Sequence, residues 1–554
     1  MFIRVKRVHK SNNRVVLLVE SYRDQGKPKQ RLIRHIGTAK NDKEVAQLKE
    51  AALTLKTHIT QLRLAKKTKN IEAAKFGTKI GKTSKVRKGT MLDPLHLEEI
   101  NRCILGIHDV YGYIYNLLDF TNLFYWPKRR EHSAKILREV VLSRIANPCS
   151  KRASVTMLEK DFGVKLNLDH IYQMMDKIDD RFCANIQKRA LSATLHITTG
   201  KLKVLFYDAT TLYFESFTED ELKQNGYSKD MKFNQPQVLL ALFVTKDGLP
   251  VGYELFPGAT YEGHTLIPVL EKLKNKYQIN DVIFVADRGM LSVENLQYLA
   301  DNNFTYIVGA RLKSLSKTQQ NEILAWGNNI KSEGLDHATH SLQLLPSKRL
   351  VISYDRNRAH KDEEDRVNAI TKLQKRLKKI NNPKHLISSY GYQKYIKLNV
   401  NGTMNIGIDQ NKCKNATKWD GLTGVFTNQN SIDDSVILEH YHSLWQIEES
   451  FRIQKHDLRI RPIYHWTPRR VKAHVAISFM AFACVRHLEY LVKKQYKKLS
   501  PEVIRKALLR VQASIIKDKR TSKKYLLPSK ISSEAKHIYS VVGVKIPKQM
   551  QVIL

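Results

Sequence analysis

The chain has 554 residues, enough for several domains, and 42% of them are hydrophobic, as in soluble globular proteins. Its 94 lysines and arginines against 53 acidic residues give a net charge of +41, which favours a polyanionic partner such as nucleic acid. The five cysteines are scattered singly, which argues against a zinc centre or a disulfide framework. We therefore expect a reducing compartment, the cytoplasm.

No membrane association is expected. The N-terminus turns basic within its first residues, unlike a signal peptide. The most apolar helix, around Val475 to Val485, is predicted to be too short to span a bilayer.

The N-terminal region is predicted to combine strands, a helix and a basic arm. Residues 1–65 contain short strands around a turn at Asp24–Pro28, followed by apolar positions at helical spacing over 42–65. The next segment is residues 66–95. Its first part, up to residue 90, contains nine lysines and arginines and one acidic residue, Glu72. This segment is predicted to be a flexible basic linker or an arm that becomes ordered on DNA.

Residues 96–200 are predicted to be almost wholly helical and to bind DNA. The stretch Ser154–Ile178 reads as two helices joined near Gly163 and Asn167. It is either a helix-turn-helix or an ordinary helix pair.

Residues 201–310 have the pattern of an α/β domain. Strands are predicted at Val204–Asp208, on both sides of the turn Asp247-Gly248, at Asp281–Asp287 and at Tyr306–Gly309. Helices are predicted at 263–277 and 292–302. Three strands, helix, strand, helix, strand is the order of a ribonuclease-H-like fold.

The remaining chain is divided into three predicted regions. Residues 311–432 are expected to form an inserted β-rich domain that interrupts the core. Residues 433–485 complete the core with helices. Residues 486–554 are expected to be a helical C-terminal region with a possible role in dimerisation.

Three carboxylates are candidates for metal binding. Asp208 and Asp287 each end an apolar strand, and the predicted order places those strands side by side. Two carboxylates that face each other repel and attract a divalent cation. Glu448, on a helix after the insertion, is the natural third ligand. Oxygen ligands without clustered histidine or cysteine favour two Mg²⁺ or Mn²⁺ ions, which act on phosphodiesters.

The helix around Glu448 carries further candidates. Tyr441, Glu448 and Lys455 are seven residues apart and therefore share one face of a continuous helix, together with Leu444 and Arg452. Such a face can hold a metal ion against a phosphate, although a solvated, salt-bridged surface explains it equally well.

Each acid also has a structural interpretation. Asp208 can cap the turn into Thr210, and Asp287 can pair with Arg288. Glu449 competes with Glu448 but points about 100° away on a helix.

The chain resembles the bacterial insertion-sequence DDE transposases, especially the branch with a Tyr-x2-Arg-x3-Glu-x6-Lys signature and a β-rich insertion before the last acid. Tyr441, Glu448 and Lys455 fit this spacing, but Leu444 stands where the signature has arginine. The further matching motifs lie within about 207–480: Tyr207–Thr211, Gly226–Asp230, Gly248–Pro250, Phe256–Gly258, Ala286–Gly289, Phe426–Asn428, and Trp445–Glu448 through Arg461-Pro462.

The resemblance implies cut-and-paste DNA transposition by a homodimer on paired ends, with terminal inverted repeats and a target as DNA substrates. Asp208, Asp287 and Glu448 would be the catalytic and metal-binding triad. The DNA-binding residues would be Tyr441, Arg452, Lys455 and Arg288. The protein would act in the cytoplasm, beside the nucleoid.

Two other functions fit the same residues. A ribonuclease-H-like nuclease or resolvase would cut DNA without joining strands. A non-catalytic DNA-binding derivative would retain the fold and lose the chemistry.

Overall fold

The structure is a computed structural model. It describes the residues 2–7, 13–24, 27–39, 41–42, 44–46, 48–49, 52–53, 83–85, 92–124, 127–198, 202–227, 234–277, 282–290, 292–302, 304–377, 391–401, 403–547 and 549–553. The turn at Gln25-Gly26, the second half of the predicted 42–65 helix, most of the basic linker and the motif residues 228–230 lie outside these ranges.

The chain divides into two compact units. The first unit comprises residues 1–202, 209–260 and 447–554, and the second comprises 203–208 and 261–446. The boundaries fall within a strand, after residue 208, and within a helix, after residue 446.

The N-terminal strands of the first unit are longer than expected. Strands β1 (Phe2–Arg7), β2 (Arg14–Asp24) and β3 (Lys27–Ala39) form an antiparallel sheet. The described positions between 42 and 53 are mostly helical, as predicted. Two expectations are wrong: part of the basic linker forms strand β4 (Thr83–Lys85), and the supposedly helical region begins with strand β5 (Leu97–Ile104).

The rest of the region up to residue 198 is helical, as predicted. The α-helices of this region are α1 (Gly112–Leu117), α2 (Pro127–Ala146), α3 (Lys151–Phe162), α4 (Leu168–Met175) and α5 (Asp180–Ile197). The predicted junction is confirmed, because Gly163 ends α3 with φ 66° and the Asn167 side chain caps α4.

The α/β core follows in the predicted order. Its elements are β6 (Val204–Tyr213), β7 (Gln237–Thr245), β8 (Pro250–Pro257), α6 (Leu266–Tyr277), β9 (Ile283–Ala286), α7 (Val293–Asp301) and β10 (Thr305–Gly309). In the second unit, β9 pairs in parallel with β6 on one side and with β10 on the other. The prediction that the first and fourth strands are neighbours is confirmed. In the first unit, β7 and β8 form the predicted hairpin, with φ 73° at Gly248.

Residues 311–432 are not a separate β-rich domain. They contain α8 (Lys317–Ser332), β11 (His337–Leu345), β12 (Lys348–Asp355), α9 (Arg356–Leu377), β13 (Ile396–Asn401), β14 (Thr403–Ile408), α10 (Gln410–Thr417) and β15 (Leu422–Thr427). The order β11-β12-β15-β10 continues the core sheet of the second unit. The segment is therefore mixed α/β and packs as part of that unit.

The helix that carries Glu448 is interrupted. Helix α11 (Asp434–His442) ends in a turn at Ser443-Leu444, and α12 (Trp445–Arg452) continues into a π-helical turn, Ile453–Asp457. The expectation of one continuous face from Tyr441 to Lys455 is wrong, because the break and the wider turn both rotate the side chains that follow.

The long helix α13 (Pro468–Gln495) forms the core of the first unit. It has 28 residues and a mean hydropathy of 1.5 over its most apolar 18-residue window, so it is longer than we expected and long enough to cross a membrane. In the structure 94% of that window is buried inside the protein, as in the core helix of a globular domain. It packs against α2, α5 and β8.

The C-terminal region is mixed rather than helical. It contains α14 (Pro501–Leu509), β16 (Gln512–Asp518), β17 (Lys524–Pro528), α15 (Ser533–Val542) and β18 (Gln551–Ile553). With β4 and β5 these strands form a five-stranded sheet of order β4-β18-β17-β16-β5. Strands β4 and β5, which precede the helical region, are thus joined to the C-terminal region within the first unit.

Candidate active site

Asp208 and Asp287 each follow the last paired residues of two neighbouring parallel strands, although β6 itself continues past Asp208 to Tyr213. Tyr207 on β6 is the register partner of Ala286 on β9, and each aspartate is the next residue. Side chains at the carboxyl ends of parallel strands meet at one sheet edge, so the second unit brings the two acids together. Asp208 is half-buried and Asp287 is exposed, which leaves the edge open to ligands.

Tyr207, the residue before Asp208 on β6, makes a buried hydrogen bond. The hydroxyl of Thr265 donates to the carbonyl of Glu262 at 2.6 Å, so the phenol of Tyr207 is left to donate to Thr265. Both Tyr207 and Thr265 are fully buried. This contact fixes the residue that precedes Asp208.

Tyr441 contacts Asp287 directly. The two side chains are hydrogen-bonded, and burial and the negative charge of Asp287 raise the pKa of Tyr441 to about 12, against the opposing effect of Arg288 and Arg358. The phenol therefore keeps its proton and donates to the carboxylate. The expected contact of Tyr441 with DNA phosphates stays a prediction; in the structure its hydroxyl is bonded to Asp287.

Gly309 makes room for Tyr441. It ends β10, and a Cβ at this position would collide with the Tyr441 hydroxyl and crowd the Arg288 amide. Arg288 is exposed, and its carbonyl accepts a hydrogen bond from Arg311 at 3.4 Å. Arg288 and Arg358 both act electrostatically on Tyr441, so positive charge that suits a phosphate backbone lies beside the Asp287 contact.

Glu448 lies in the first unit, on the exposed side of α12. Among the residues that the structure describes, no three histidine, cysteine, aspartate or glutamate side chains are close enough to hold a metal ion. Asp208 and Asp287 are therefore a two-carboxylate arrangement in this structure, and Glu448 remains a prediction as third ligand.

Arg452 is engaged by carboxylates. Its Nε and Nη2 atoms donate to both oxygens of Glu449 at 2.7 and 2.6 Å, and Nη1 lies 3.6 Å from Asp457. The paired hydrogen bonds raise the pKa of Arg452 and lower that of Glu449. Glu449 is thus occupied in an ion pair, which removes it as a rival of Glu448. The expected phosphate contact of Arg452 requires this pair to open.

The two other signature positions, Lys455 and Leu444, lie in different parts of the interrupted helix. Lys455 is half-buried in the π-helical turn, which moves it off the face that α12 presents. Leu444 is buried in the turn between the helices, where it packs as a core residue. An arginine at that position would lie in an apolar environment.

His264 and His474 have other partners in the structure. His474 is buried, and its Nε2 donates to the Ile460 carbonyl at 2.9 Å. His264 is exposed and stacks edge-on against Tyr261. Neither belongs to the aspartate edge by any described contact.

The aspartate edge fits a divalent cation. The atoms that would bind the cation are the carboxylate oxygens of Asp208 and Asp287, which are hard ligands. The hydrogen bond from Tyr441 occupies only part of the accepting capacity of Asp287, so oxygen lone pairs remain for a metal ion. Hydrogen-bonded carboxylates of this kind are typical of metal sites, where the outer group fixes the ligand.

Three residues of this edge were missed by sequence reasoning. Arg311 and Arg358 lie in the segment 311–432, and no spacing in the sequence predicts that this segment continues the core sheet. Gly309 could have been identified from the sequence, because it ends the predicted strand that lies beside β9.

Comparisons with known proteins identify the family of the chain. The family model for the transposase DDE domain matches residues 199–484, and the model for the N-terminal domain of IS1634 family transposases matches residues 3–65. No curated protein matches the chain.

Two solved structures are similar at low identity. A cryo-EM structure of the piggyBac transposase synaptic complex with hairpin DNA has 10% identity and a TM-score of 0.37. That match covers 77% of this chain and 82% of the piggyBac chain. The Mos1 transposase paired-end complex with the left transposon end has 15% identity and a TM-score of 0.14. That match covers 28% of this chain and 53% of the Mos1 chain. Both TM-scores are too low to assign residues, so the family models carry the identification.

Proposed function

This chain belongs to the DDE transposases of insertion sequences, and we propose that it cuts DNA at terminal inverted repeats and joins the freed ends to a target with Asp208, Asp287 and Glu448 as the catalytic acids. The proposal rests on one observation above all. The two aspartates follow register partners on adjacent parallel strands, and a tyrosine holds one of them.

The residues of the chain would divide the work. Asp208, Asp287 and Glu448 would hold two Mg²⁺ or Mn²⁺ ions. When bound, such ions lower the pKa of water and stabilise the leaving oxygen in phosphodiester displacement. Tyr441 would fix the orientation of Asp287, and the exposed Arg288 would attract the DNA backbone.

The partners follow from charge and family. The net charge of +41 suits salt-dependent binding of double-stranded DNA, both at transposon ends and at the target. A homodimer would bring two ends together, in the bacterial cytoplasm. The divergent position Leu444 would make this chain a variant of the Tyr-Arg-Glu-Lys branch, in which cations such as Arg288 replace the missing arginine.

The first experiment compares Asp208→Asn with a matched control. Asp301→Asn makes the same change at an exposed residue at the end of α7, whose carboxylate contacts Gln297. On DNA with the ends of the element, Asp208→Asn should bind like the wild type and lose cleavage and strand transfer in Mg²⁺. Asp301→Asn should retain both. Equal cleavage by wild type and Asp208→Asn would refute the assignment.

A second assay separates a transposase from the two alternatives. Wild-type protein is mixed with end DNA and a circular target, and covalent joint molecules are counted. A nuclease would release ends without joining them, and a non-catalytic derivative would bind ends without cutting. Either result would contradict the proposal.

A further inference from the structure

The first unit contains a pocket of about 570 Å³ with cationic walls. It lies where the end of α2 and the start of α3 meet the segment before α13. Its basic lining residues are Arg144, Lys151, Arg152, Arg459, Arg461, His465 and His474. All of them belong to the first unit.

Two of these cations are buried without a carboxylate. Arg144 is 4% exposed and Lys151 is 5% exposed. Within the described residues, no ion pair involves either side chain, and the groups that act electrostatically on Lys151 are Arg144 and the Cys149 thiol. Burial and the charge of Arg144 hold the pKa of Lys151 well below its usual value. Buried like charges are unfavourable unless an anion joins them.

The second unit shows what a satisfied buried cation looks like in this protein. Arg366 is as buried as the pocket cations, and both of its terminal nitrogens donate to Asp420 at 2.6 Å. In the pocket, Arg144 instead uses Nη1 for the carbonyls of Leu458 and Arg459, at 2.9 and 3.2 Å. Its Nε has no acceptor among the described residues.

The rest of the lining also suits an oxyanion. Helix α3, with 12 residues, begins at the pocket with Ser150 as its cap, and the amides of a helix N-terminus attract anions. His474 is 5% exposed, and its Nδ1 has no partner among the described atoms. Burial and the neighbouring Arg144 and Lys151 hold the pKa of His474 well below its usual value, which an anion would reverse.

We propose that this pocket binds a phosphate group of DNA, with Lys151 and Arg144 as its principal charges. The choice of DNA rests on the function proposed above and on the aromatic side chains of the adjoining segment. Tyr464, which lines the pocket, is 60% exposed, and Trp466 is 71% exposed. Exposed aromatic rings beside a phosphate site stack on sugars and bases, which a free phosphate does not offer.

The test begins with anion binding by the full-length protein. Lys151→Gln removes a pocket charge, and Lys160→Gln makes the same change at an exposed residue on the same helix. Inorganic pyrophosphate should raise the melting temperature of the wild type and of Lys160→Gln at constant ionic strength. Its affinity should fall about tenfold or more in Lys151→Gln. Arg459→Gln, at an exposed lining position, should also weaken binding and guards against a folding defect in Lys151→Gln.

The second arm uses DNA. Lys151→Gln should weaken binding of end DNA by about tenfold and lower the slope of log K against log salt by about one, whereas Lys160→Gln should be close to wild type. End DNA should also displace pyrophosphate from the wild type. Equal behaviour of Lys151→Gln and Lys160→Gln, or no effect of pyrophosphate on the wild type, would overturn the pocket.

The outcomes separate this proposal from the proposed function. Pyrophosphate binding that depends on Lys151 but resists competition by DNA would assign the pocket to a free phosphate ligand and overturn the DNA assignment. A wild type that joins DNA while Lys151→Gln binds it normally would refute the pocket alone. A pocket that passes both arms in a protein that never cuts DNA would refute the catalytic proposal alone.

Discussion

The second unit has two neighbouring aspartates, Asp208 and Asp287, and the first unit has the cationic pocket. The two sites concentrate charge of opposite sign in different ways. Asp287 is exposed and already has a protein donor in Tyr441, so a cation can bind without large rearrangement. Lys151 and Arg144 are buried and have no carboxylate partner among the residues that the structure describes, so this part of the folded protein carries an electrostatic cost until an anion binds. An open, oriented site is suited to chemistry, and a buried, unpaired one is suited to tight binding.

The largest expected effect concerns the third acid. Glu448→Gln should reduce strand transfer by about 10³-fold or more, because a lost catalytic group removes charge stabilisation in the transition state. Glu449→Gln is the control on the same helix and should lose only the ion pair with Arg452. Gel-based strand-transfer rates of both variants measure the difference. Were Glu449→Gln the inactive variant, the third ligand would be misassigned.

The comparison of paired and unpaired cations predicts opposite effects on stability. Arg366→Met leaves the buried Asp420 without a partner and should cost about 3–5 kcal/mol of unfolding free energy. Lys151→Met removes a buried charge with no carboxylate and should be neutral or stabilising by about 1 kcal/mol. Urea unfolding in phosphate-free buffer provides both values. Strong destabilisation by Lys151→Met would show that its charge is satisfied within the fold.

The tyrosine at the aspartate edge should act through the metal ligand. Tyr441→Phe removes the donor to Asp287 and should weaken Mn²⁺ binding or activity by about 10–100-fold. Tyr298→Phe is the control, since its hydroxyl contacts Glu271 at 3.3 Å in the same unit. The Mn²⁺ dependence of cleavage distinguishes them. A Tyr441→Phe protein with normal Mn²⁺ dependence and weaker DNA binding would instead support the phosphate grip expected from the sequence.

The pocket also predicts a dependence on pH. Burial and the neighbouring Lys151, Arg144 and Arg470 lower the pKa of His465 from 6.5 to about 3. Since the unfolded chain binds this proton more readily, stability should fall as pH decreases from about 6.5 towards 3, on the order of 1 kcal/mol between pH 6 and 5.

His465→Asn should flatten this part of the stability curve, and pyrophosphate should oppose the loss because its charge favours the protonated histidine. Thermal unfolding between pH 7 and 5, with and without pyrophosphate, measures both effects. A slope that is the same in His465→Asn would assign the pH dependence to other groups.

The sequence predicted features that one segment determines by itself. Asp208 and Asp287 were recognised because each follows an apolar run, although β6 continues past Asp208 to Tyr213. The Asp247-Gly248 hairpin was recognised because its turn residues are specific. Strand Leu97–Ile104 was missed because most of its residues are exposed and it shows no alternation. Its partner, Gln512–Asp518, lies about four hundred residues away, beyond any local pattern.

Other features depend on packing that no periodicity reveals. The break at Ser443-Leu444 contains neither proline nor glycine, so heptad spacing continued through it in the sequence while the backbone turned. The pocket combines residues near 144–151 with residues near 459–474, and their basic side chains look like ordinary surface charge in a chain of net charge +41. Only burial distinguishes them.

The most direct test of the central claim replaces each acid with cysteine and measures strand transfer in two metals. Asp208→Cys, Asp287→Cys and Glu448→Cys should bind end DNA, fail in Mg²⁺ and recover in Mn²⁺, because Mn²⁺ accepts a sulfur ligand better than Mg²⁺ does. Recovery of all three would establish them as ligands of the catalytic metals. Wild-type activity in Mg²⁺ for any of the three, or no recovery in Mn²⁺ with DNA binding intact, would contradict the account.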